Sequence, residues 1–441
     1  MLRFTLASLL MIGISGMLCA QPREEKVRSD RKKVEAEGFW IYNDLAKGFE
    51  TAKKTGKPLL VVLRCVPCEE CVKLDDELVD QDTRVRPLLE KFVCVRQIST
   101  NGLDLTLFQF DYDQSFAAFM LNADGTIYGR FGTRSHRTEW IGDVSIDGLA
   151  KALEGALDLH KNYPKNKDSL VGKRGPKPDF STPESFPAHI GRYKSQIDFA
   201  GKVVPSCIHC HQIGDAHRDY LRKQKKPIPE RVVFPYPHPK SIGLILDPKE
   251  RASVLRVESG SLAEKAGFRT GDAITSLHGQ PLLSIADVQW VLHYSSGSGD
   301  TLKAELLRGT ESMEITLTLP RDWRRLDDIS WRASTWGLRR MTTGGLVLEP
   351  ASKEDRQAAN VADGSMALRV KHVGQYGAHA AGKNAGFRQG DIIVSINGKS
   401  EFLREADWMF HSLNELRPGD RAKVSVMRDG KKVELNLPMQ D

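Results

Sequence analysis

Three cysteines lie within seven positions of the segment LRCVPCEECVKL, residues 63–74: Cys65, Cys68 and Cys71. Neighbouring pairs are separated by two residues, a spacing that lets one thiol reach another across a single helical turn and resolve a mixed disulfide. Three chemistries suit such a triplet. They are thiol–disulfide exchange, binding of a soft metal such as copper or zinc through three thiolates, and a structural disulfide with one spare thiol.

The N-terminus predicts export. A basic start is followed by an apolar stretch over Phe4–Leu18, and charge begins directly after Ala20. This pattern predicts a secretory signal peptide over residues 1–20, and its apolar part is too short for a membrane span. Cys19 allows a lipoprotein, but Leu18 stands where lipid attachment favours a small residue. We expect a periplasmic or secreted protein with no transmembrane segment, in which paired thiols oxidise unless they are used.

The charge pattern argues against nucleic acid as a partner. The chain has 64 Lys and Arg against 57 Asp and Glu. Much of the excess falls in short runs such as 161–177 and 222–226, which we interpret as solvated linkers because no continuous basic helix with interleaved aromatics is present. A length of 441 residues predicts about three domains.

Residues 39–160 alternate helix and strand signals. The continuous apolar run at 59–63 predicts a central parallel strand that is buried on both faces. Further predicted elements are a helix over 44–55, a helix around 84–91, a strand at 92–95, a hairpin over 119–131 and a final helix over 146–160. The order predicts an α/β domain.

The entry to the central strand, residues 52–61 (AKKTGKPLLV), resembles the exported thioredoxin-like family. In that family the Cys-x-x-Cys motif begins about ten residues after the Lys-Pro pair. The resemblance therefore implies that Cys68 attacks and Cys71 resolves, with Cys65 as a third partner. A cysteine at a helix N-terminus has a lowered pKa, and the two intervening glutamates oppose that effect.

One departure from the thioredoxin family concerns the cis-proline opposite the motif. Its place falls near Phe116 in QSFAA, residues 114–118, where no proline occurs. Because a cis bond before any other residue is costly, we expect a rearranged substrate-binding edge.

A Lys-, Gly- and Pro-rich linker is predicted over 161–178, followed by a short, mostly helical segment over 179–237. In this segment Cys207-Ile208-His209-Cys210-His211 has the Cys-x-x-Cys-His spacing of c-type haem attachment and resembles cytochrome c. The resemblance implies that Cys207 and Cys210 bind the porphyrin and that His211 is the proximal iron ligand.

Two alternatives remain for this CxxCH segment. One is a disulfide between Cys207 and Cys210, and the other is a zinc site that also uses His209, His217 or His238. If haem c is bound, the sixth ligand must come from elsewhere than a nearby methionine, because none follows before the next domain. The candidate sixth ligands are His189, His217 and His238.

The C-terminal half contains an internal repeat. AGFRTGDAI at 266–274 returns as AGFRQGDII at 385–393, and each copy continues with a strand, a turn, a helix and a final pair of strands. A separation of this size predicts two globular α+β modules, over 238–321 and 333–440. Both resemble the PDZ domain of exported bacterial proteins, and we refer to them as the first and second PDZ-like modules.

The PDZ resemblance implies binding of polypeptide C-termini or extended peptides by strand addition. It places the carboxylate-binding loop of the first module at Ser241–Leu244 and that of the second at Thr335–Leu338. The groove residues so assigned are Ile242, Gly243, Leu244, Val288 and Leu292 in the first module, and Trp336, Gly337 and Leu338 in the second.

The leading functional hypothesis is an exported thiol–disulfide or electron-transfer protein that holds client polypeptides through PDZ domains, with thiol–disulfide oxidoreductase as the candidate enzyme activity. The rival hypothesis is a non-catalytic peptide-binding scaffold, or a protease-associated adaptor, with a degenerate thioredoxin-like domain. No His-Glu-x-x-His motif occurs, and Gly297-Ser298-Gly299 falls in a loop of the repeat. Any exported protease would therefore be a partner.

Overall fold

The computed structural model describes residues 23–64, 82–134 and 144–441. It divides into two compact units. Unit 1 contains the described residues up to Tyr220 together with Tyr236–Trp323, and unit 2 contains Leu221–Pro235 and Arg324–Asp441. Among the helices in the described ranges, none combines the length and apolar character needed to cross a bilayer.

The thioredoxin-like domain is built on a five-stranded sheet of order β1-β3-β2-β4-β5. Strands β1, β3 and β2 are parallel, and β4 and β5 continue the sheet as an antiparallel hairpin. The elements are α1 (23–37), β1 (Ile41–Tyr42), α2 (Leu45–Thr55), β2 (Leu59–Arg64), α3 (Arg86–Leu89), β3 (Val93–Gln97), β4 (Gln114–Leu121), β5 (Ile127–Arg134) and α4 (Ile146–Lys161).

Strand β2 is buried along its whole length because both faces of the sheet are covered. Its side chains alternate between two hydrophobic clusters: Leu60 and Val62 pack with residues of α4, and Val61 packs on the other face. A continuous apolar run is what such a strand requires. The predicted α/β fold of this domain is confirmed.

Helix α1 had no counterpart in the sequence-based prediction. Its Asp30 accepts a hydrogen bond from the Tyr42 hydroxyl at 2.8 Å and forms an ion pair with Arg64 at 2.5 Å. Its Glu24 accepts the backbone N–H groups of Val203 and Val204 at 3.1 and 2.9 Å. These polar contacts make α1 part of unit 1.

The predicted solvated linker at 161–178 is structured. It contains the helical turn α5 (Lys167–Leu170) and a 3-10 turn over Val171–Lys173. Lys173 is only 1% exposed and lies 2.9 Å from the Asp287 carboxylate. The prediction of a solvated linker was wrong at Lys173 because this lysine has a buried partner more than 100 residues away in the chain.

The remaining elements belong to the CxxCH segment and the two PDZ-like modules. The CxxCH segment has α6 (Val203–Ser206), α7 (Cys210–Lys223) and α8 (Glu230–Val233). The first module has β6 (Leu244–Leu246), β7 (Val254–Val257), α9 (Leu262–Ala266), β8 (Ala273–Leu277), β9 (Gln280–Pro281), α10 (Ile285–Tyr294), β10 (Asp300–Arg308) and β11 (Glu311–Leu319). The second has α11 (Ala333–Thr342), β12 (Leu346–Pro350), α12 (Lys353–Ala358), β13 (Leu368–Val373), α13 (Ala381–Asn384), β14 (Ile392–Ile396), α14 (Glu405–Glu415), β15 (Arg421–Arg428) and β16 (Lys431–Pro438).

The repeated Gly-Asp motif has a structural role in both modules. Asp272 binds the Arg308 guanidinium through two hydrogen bonds of 2.8 Å, and Asp391 binds Arg428 through two of 2.7 Å. Bidentate pairs of this kind fix the geometry of both partners. Burial opposes ionisation of Asp272, but the Arg308 hydrogen bonds, the Arg269 N–H and the positive charges of both arginines together lower the pKa of that carboxyl.

The first PDZ-like module and the thioredoxin-like domain share a buried polar network centred on Asp287. This carboxylate accepts the backbone N–H of Leu283 at 2.9 Å and that of Arg130 at 3.2 Å, and it pairs with Lys173. The Trp290 indole donates to the Gly172 carbonyl at 2.9 Å. Unit 1 is therefore joined by contacts that would leave a buried charge if they were broken.

Apolar packing reinforces this network. Leu283 belongs to the hydrophobic cluster of the thioredoxin-like domain, although it precedes α10 of the first module. At Gly129 of β5, a Cβ atom would lie 2.6 Å from Leu283 and 2.9 Å from an Asp287 oxygen. Glycine at this position allows the strand to approach the module closely.

We expect Lys173→Met to destabilise unit 1 by about 3 kcal/mol, because it leaves the Asp287 carboxylate buried without a cationic partner. Urea unfolding measures the change. Lys165→Met, at an exposed lysine of the same segment, is the matched control and should change the free energy of unfolding by less than about 0.5 kcal/mol. Equal effects of the two substitutions would contradict the role assigned to Lys173.

Candidate functional site

Cys65, Cys68 and Cys71 lie outside the described residues. The described chain reaches Arg64 at the end of β2, one residue before Cys65. We call the carboxyl ends of β2 and β3, residues 63–64 and 97–100, the carboxyl edge of the sheet. Phe116, near the position where a thioredoxin has its cis-proline, lies in strand β4 opposite Arg64, and the pairing of β4 with β5 has a bulge between Gln114 and Phe116.

The CxxCH segment covers this carboxyl edge. The Ile208 carbonyl accepts the Thr100 backbone N–H at 3.2 Å and the Thr100 hydroxyl at 2.8 Å. The Asn101 side chain also binds the CxxCH segment. It accepts the Ile208 N–H at 2.8 Å and donates to the Ser206 carbonyl at 2.9 Å. The CxxCH segment is thus held against the carboxyl edge of the sheet by hydrogen bonds.

A small cavity lies between the edge and the segment. Its volume is about 10 Å³, which is room for one water molecule. The residues that line it are Leu63, Arg64, Gln97, Ile98, Ser99, Thr100, Ile208, His209 and Cys210.

Of the two cysteines of the CxxCH segment, Cys207 is buried and Cys210 is half-buried, and they pack in different clusters. Cys207 packs with Ile98 and Val203 and donates to the Val203 carbonyl at 3.2 Å, whereas Cys210 packs against the core that contains Ile213. Burial raises the pKa of Cys207 to about 11 and that of Cys210 to about 12. Both are free thiols, so they form no disulfide with each other.

This arrangement does not fit a covalently bound haem. A porphyrin needs one pocket that both sulfur atoms face, on the order of 300 Å³ or more. Cys207 and Cys210 instead pack in separate clusters, and the cavity that Cys210 lines is water-sized. Within the described ranges, no three His, Cys, Asp or Glu side chains come together as a metal site. Haem attachment stays a prediction from the motif alone.

The histidines named as ligands each have a protein partner. His211 Nδ1 lies 3.2 Å from an Asp215 oxygen, and this hydrogen bond raises the pKa of His211. Burial, and then the neighbouring His211, lower the pKa of His209. The other three candidate ligands also have hydrogen-bond partners. His217 contacts Asp179 at 3.2 Å, His189 contacts the Pro183 carbonyl at 2.7 Å, and His238 accepts the Lys240 N–H at 3.1 Å.

Cys94, by contrast, is a core thiol of β3. It is buried and donates to the Leu89 carbonyl at 3.4 Å, and burial raises its pKa. Cys94 therefore lies in the core of the domain and not at the carboxyl edge.

The carboxylate-binding loop predicted for the second module is a helix. Thr335–Leu338 lies in α11, where Trp336 is half-exposed and Leu338 is buried. The loop that corresponds to Ser241–Leu244 is instead 343–346, because Gly345 and Gly243 have the same left-handed backbone, with φ of +84° and +76°. The prediction was wrong because the sequence TWGL at 335–338 resembles SIGL at 241–244. Its glycine, Gly337, lies eight residues before Gly345, the glycine of the actual loop.

The strand after each loop has the same register in both modules. Strand β6 pairs with β7 through Leu244↔Val257, Ile245↔Arg256 and Leu246↔Val254. Strand β12 pairs with β13 through Leu346↔Val373, Val347↔His372 and Leu348↔Val370. Both ladders carry a bulge at the same step, so Leu246 and Leu348 are equivalent.

The helices α10 and α14 are equivalent as well. Asp287 accepts the Leu283 N–H at 2.9 Å, and Asp407 accepts the Leu403 N–H at 3.2 Å. Counting back two residues from each aspartate makes Ile285 the counterpart of Glu405.

This one substitution between the copies changes the strand edge. In the second module the Glu405 carboxylate accepts the Leu348 backbone N–H at 3.0 Å and pairs with Arg339. In the first module the equivalent helix position is Ile285, whose aliphatic side chain accepts no hydrogen bond from Leu246. The edge of β12 is therefore capped by a carboxylate, and the edge of β6 has no such cap.

The side chains predicted to form the groove of the first module are in its core. Val288 and Leu292 are 1% and 0% exposed, and they pack with Ile242 and Leu244. Gly243 allows a close approach, since a Cβ there would lie 2.2 Å from the Ser261 Cβ. The apolar pocket is thus filled by the module itself.

Tyr236 lies along the helix side of this groove. Its carbonyl accepts the Gln289 amide at 3.1 Å, its N–H donates to His293 Nδ1 at 3.1 Å, and its ring stacks on His293 at 3.9 Å. No sequence pattern indicated that Tyr236, Arg339 and Glu405 lie beside the grooves. Aligning the two repeats at their helix aspartates would have revealed the contrast between Ile285 and Glu405.

We expect the thiols of the CxxCH segment to react slowly. In protein without residues 1–20 and with Cys65, Cys68 and Cys71 changed to Ser, labelling at pH 8 should be about 100-fold slower in the folded than in the urea-unfolded chain, because raised pKa values leave little thiolate. A thiol-specific chromophoric disulfide reagent measures the rates. Rapid labelling of the folded chain would contradict the burial described.

Comparison with known proteins assigns the domains. The family described as thioredoxin-like matches residues 40–123, and the PDZ domain family matches residues 238–319 and 376–439. Each family covers less than half of the chain.

Curated relatives match parts of the chain. The periplasmic pH-dependent serine endoprotease DegQ of Escherichia coli (strain K12) is 33% identical over 152 residues, which are 34% of this chain and 29% of that protein. A probable periplasmic serine protease do/HhoA-like of Haemophilus influenzae is 28% identical over 158 residues, 36% of this chain and 30% of that protein. The chain thus spans about a third of the length of these relatives.

A solved structure of the HtrA-type protease AlgW with decapeptide matches 32% of this chain and 49% of that chain, with 13% identity and a TM-score of 0.21. Together with the element order described above, the family matches identify the parts of the molecule: the chain contains one thioredoxin-like domain and two PDZ domains.

Proposed function

We propose that the protein is an exported, non-catalytic scaffold whose first PDZ domain binds extended polypeptide segments by adding them to strand β6. The observation that carries the proposal is the uncapped edge of β6, where Ile285 replaces the capping Glu405 of the second domain. A peptide that extends this sheet would use main-chain hydrogen bonds to residues such as Leu246.

The filled pocket supports a particular kind of recognition. Main-chain hydrogen bonds provide affinity in strand addition, and side-chain pockets provide sequence specificity. Since Val288 and Leu292 are in the core, recognition at β6 relies on the backbone. We therefore propose broad binding of extended or unfolded segments.

In this proposal the thioredoxin-like domain has a structural role: it holds the first PDZ domain in a fixed position. Its core is shared with the PDZ domain through Leu283, and the Asp287 network fixes helix α10 against β5. The CxxCH segment covers the carboxyl edge of the sheet, and burial raises the pKa of both its thiols, an arrangement that favours a structural role for this segment.

Export and a protease connection complete the proposal. The apolar N-terminal segment over 1–20 supports export, and the relatives matched by the PDZ region are named as periplasmic. Those relatives are also named as serine proteases, and the chain matches less than 40% of each. We propose that an exported protease is a partner and that this chain presents polypeptides to it.

We expect Ile285→Glu to weaken peptide binding at least about tenfold, because the new carboxylate would take the Leu246 N–H, as Glu405 takes that of Leu348. The probe is a fluorescein-labelled ten-residue peptide of alternating valine and serine with a free carboxyl terminus. Calorimetric titration of the full chain gives the dissociation constant and the stoichiometry.

Leu255→Glu is the matched control, because it adds the same charge at an exposed leucine of the paired strand β7. It should bind like the unmodified protein. Thermal unfolding of both variants ensures that binding is compared on folded chains. The absence of binding by the unmodified protein, or equal binding by the Ile285→Glu variant, would contradict the proposal.

A second candidate is thiol–disulfide exchange at Cys68 and Cys71. The match to the thioredoxin-like family spans both cysteines, and the segment that carries them begins where β2 ends at the carboxyl edge. Cys68 would attack a client disulfide to give a mixed disulfide, and Cys71 would release the reduced client while a Cys68–Cys71 disulfide forms. The two electrons pass from the dithiol to the client.

Insulin reduction with dithiothreitol separates the two candidates. Thiol–disulfide exchange requires the unmodified protein to reduce insulin clearly faster than Cys68→Ala does. The scaffold proposal expects equal rates, both near the rate with dithiothreitol alone.

A further inference from the structure

We infer that the second PDZ domain contains a latent peptide-binding site, which its own helix α11 and the Arg339–Glu405 pair keep closed. The ligand class is the same extended polypeptide that β6 takes, so the inference rests on the proposed function. It assigns to strand β12 a site that is used only after α11 moves away.

Helix α11 is attached to the carboxylate-binding loop of this domain. The Arg339 carbonyl accepts the N–H groups of Thr343 and Gly345, both at 3.0 Å. The Leu346 N–H donates to the Thr343 carbonyl at 3.3 Å. In strand addition, loop N–H groups of this kind receive the peptide carboxylate, but here those of Gly345 and Leu346 are used within the domain.

The Arg339–Glu405 pair then joins α11 to the groove helix α14. Arg339 Nε and Nη2 donate to the two Glu405 oxygens at 3.0 and 2.8 Å, a bidentate arrangement that fixes both side chains. The two side chains are only 8% and 13% exposed. Water therefore screens this attraction weakly.

The same carboxylate caps the strand that a peptide would extend. Glu405 Oε1 accepts the Leu348 N–H at 3.0 Å. A peptide added to β12 would need this donor, so peptide and Glu405 compete for one hydrogen atom. Because Arg339 holds Glu405 in place, the position of α11 and the state of the strand edge are coupled.

Helix α11 is suited to displacement. It has 10 residues, and isolated helices shorter than about 12 residues are marginal in water. It also contains Gly337, which has a low helix propensity. Its stability therefore depends on tertiary contacts, among them the buried Leu338, the Arg339–Glu405 pair and the bonds to the loop. Trp336 also stacks on His379 at 4.4 Å, and the Gln440 amide donates to the Arg340 carbonyl at 3.0 Å.

The test is charge reversal in the full chain with the valine–serine decapeptide as probe. We expect Arg339→Glu to place two carboxylates together, release α11 and raise the calorimetric stoichiometry from one peptide per chain to two. Glu405→Lys should do the same. The double variant should restore an ion pair between α11 and α14 and slow the hydrogen exchange of residues 333–348 again.

Arg340→Glu is the matched control, because it makes the same charge change on the neighbouring residue of α11 and should leave one site. Hydrogen exchange of residues 333–348 gives a readout without ligand, and it should be at least about tenfold faster in Arg339→Glu than in Arg340→Glu. If thermal unfolding shows that the charge reversals do not fold, the milder Arg339→Ala takes their place with the same expectation.

The outcomes distinguish this inference from the proposed function. If the unmodified protein binds no peptide, strand addition to β6 is wrong. If it binds one and a folded Arg339→Glu also binds one with unchanged exchange over 333–348, the latent site is wrong and the proposed function stands.

Discussion

The packing of the thioredoxin-like domain against the first PDZ domain in unit 1 depends on the interactions of the buried Asp287 carboxylate. A carboxylate without water needs hydrogen-bond donors and a cation, and Asp287 obtains them from Leu283, Arg130 and Lys173. These three partners come from the PDZ domain itself, from strand β5 of the thioredoxin-like domain, and from the segment after α4. One charge therefore ties three parts of the chain together and orients helix α10, the helix beside the proposed peptide site.

The two PDZ domains share one framework and differ in how the edge of the first strand is satisfied. Both keep the Asp–Arg pair of the repeated Gly-Asp motif, the left-handed glycine before the first strand and the helix aspartate. They differ at the first residue of the groove helix, where isoleucine in one corresponds to glutamate in the other. In the proposed function, that difference decides whether a strand edge is open to a peptide or is satisfied within the domain, and it distinguishes a binding copy from a closed copy.

Much of the fold follows from local sequence patterns. The apolar run at 59–63, the hairpin around Asn122–Gly125 and the amphipathic helix over 146–160 each contain enough local information, and the structure has all three. Helix α1 and the burial of Lys173 depend on partners far along the chain, which a local pattern does not reveal. The sequence of a basic segment does not reveal whether one of its lysines is exposed to water or, like Lys173, pairs with a buried aspartate.

The candidate sites divide in the same way. The CxxCH spacing is visible in the sequence, but the packing of its two sulfur atoms into separate clusters depends on tertiary structure. The loop of the second PDZ domain was misplaced because TWGL has the residue types of the true loop, and only the strand register corrects it. Tyr236, which packs on the groove helix of the first domain, and Glu405, which caps β12 in the second, carry no local signal. The role of Glu405 appears only when the two copies are compared position by position.

The central claim is that β6 is an open strand edge and β12 a closed one. Backbone amide spectra recorded during titration with the valine–serine decapeptide test it most directly, because each amide is observed separately. The account predicts that the Leu246 amide shifts with saturation while the Leu348 amide keeps its frequency. A shift at Leu348 with none at Leu246 would contradict it.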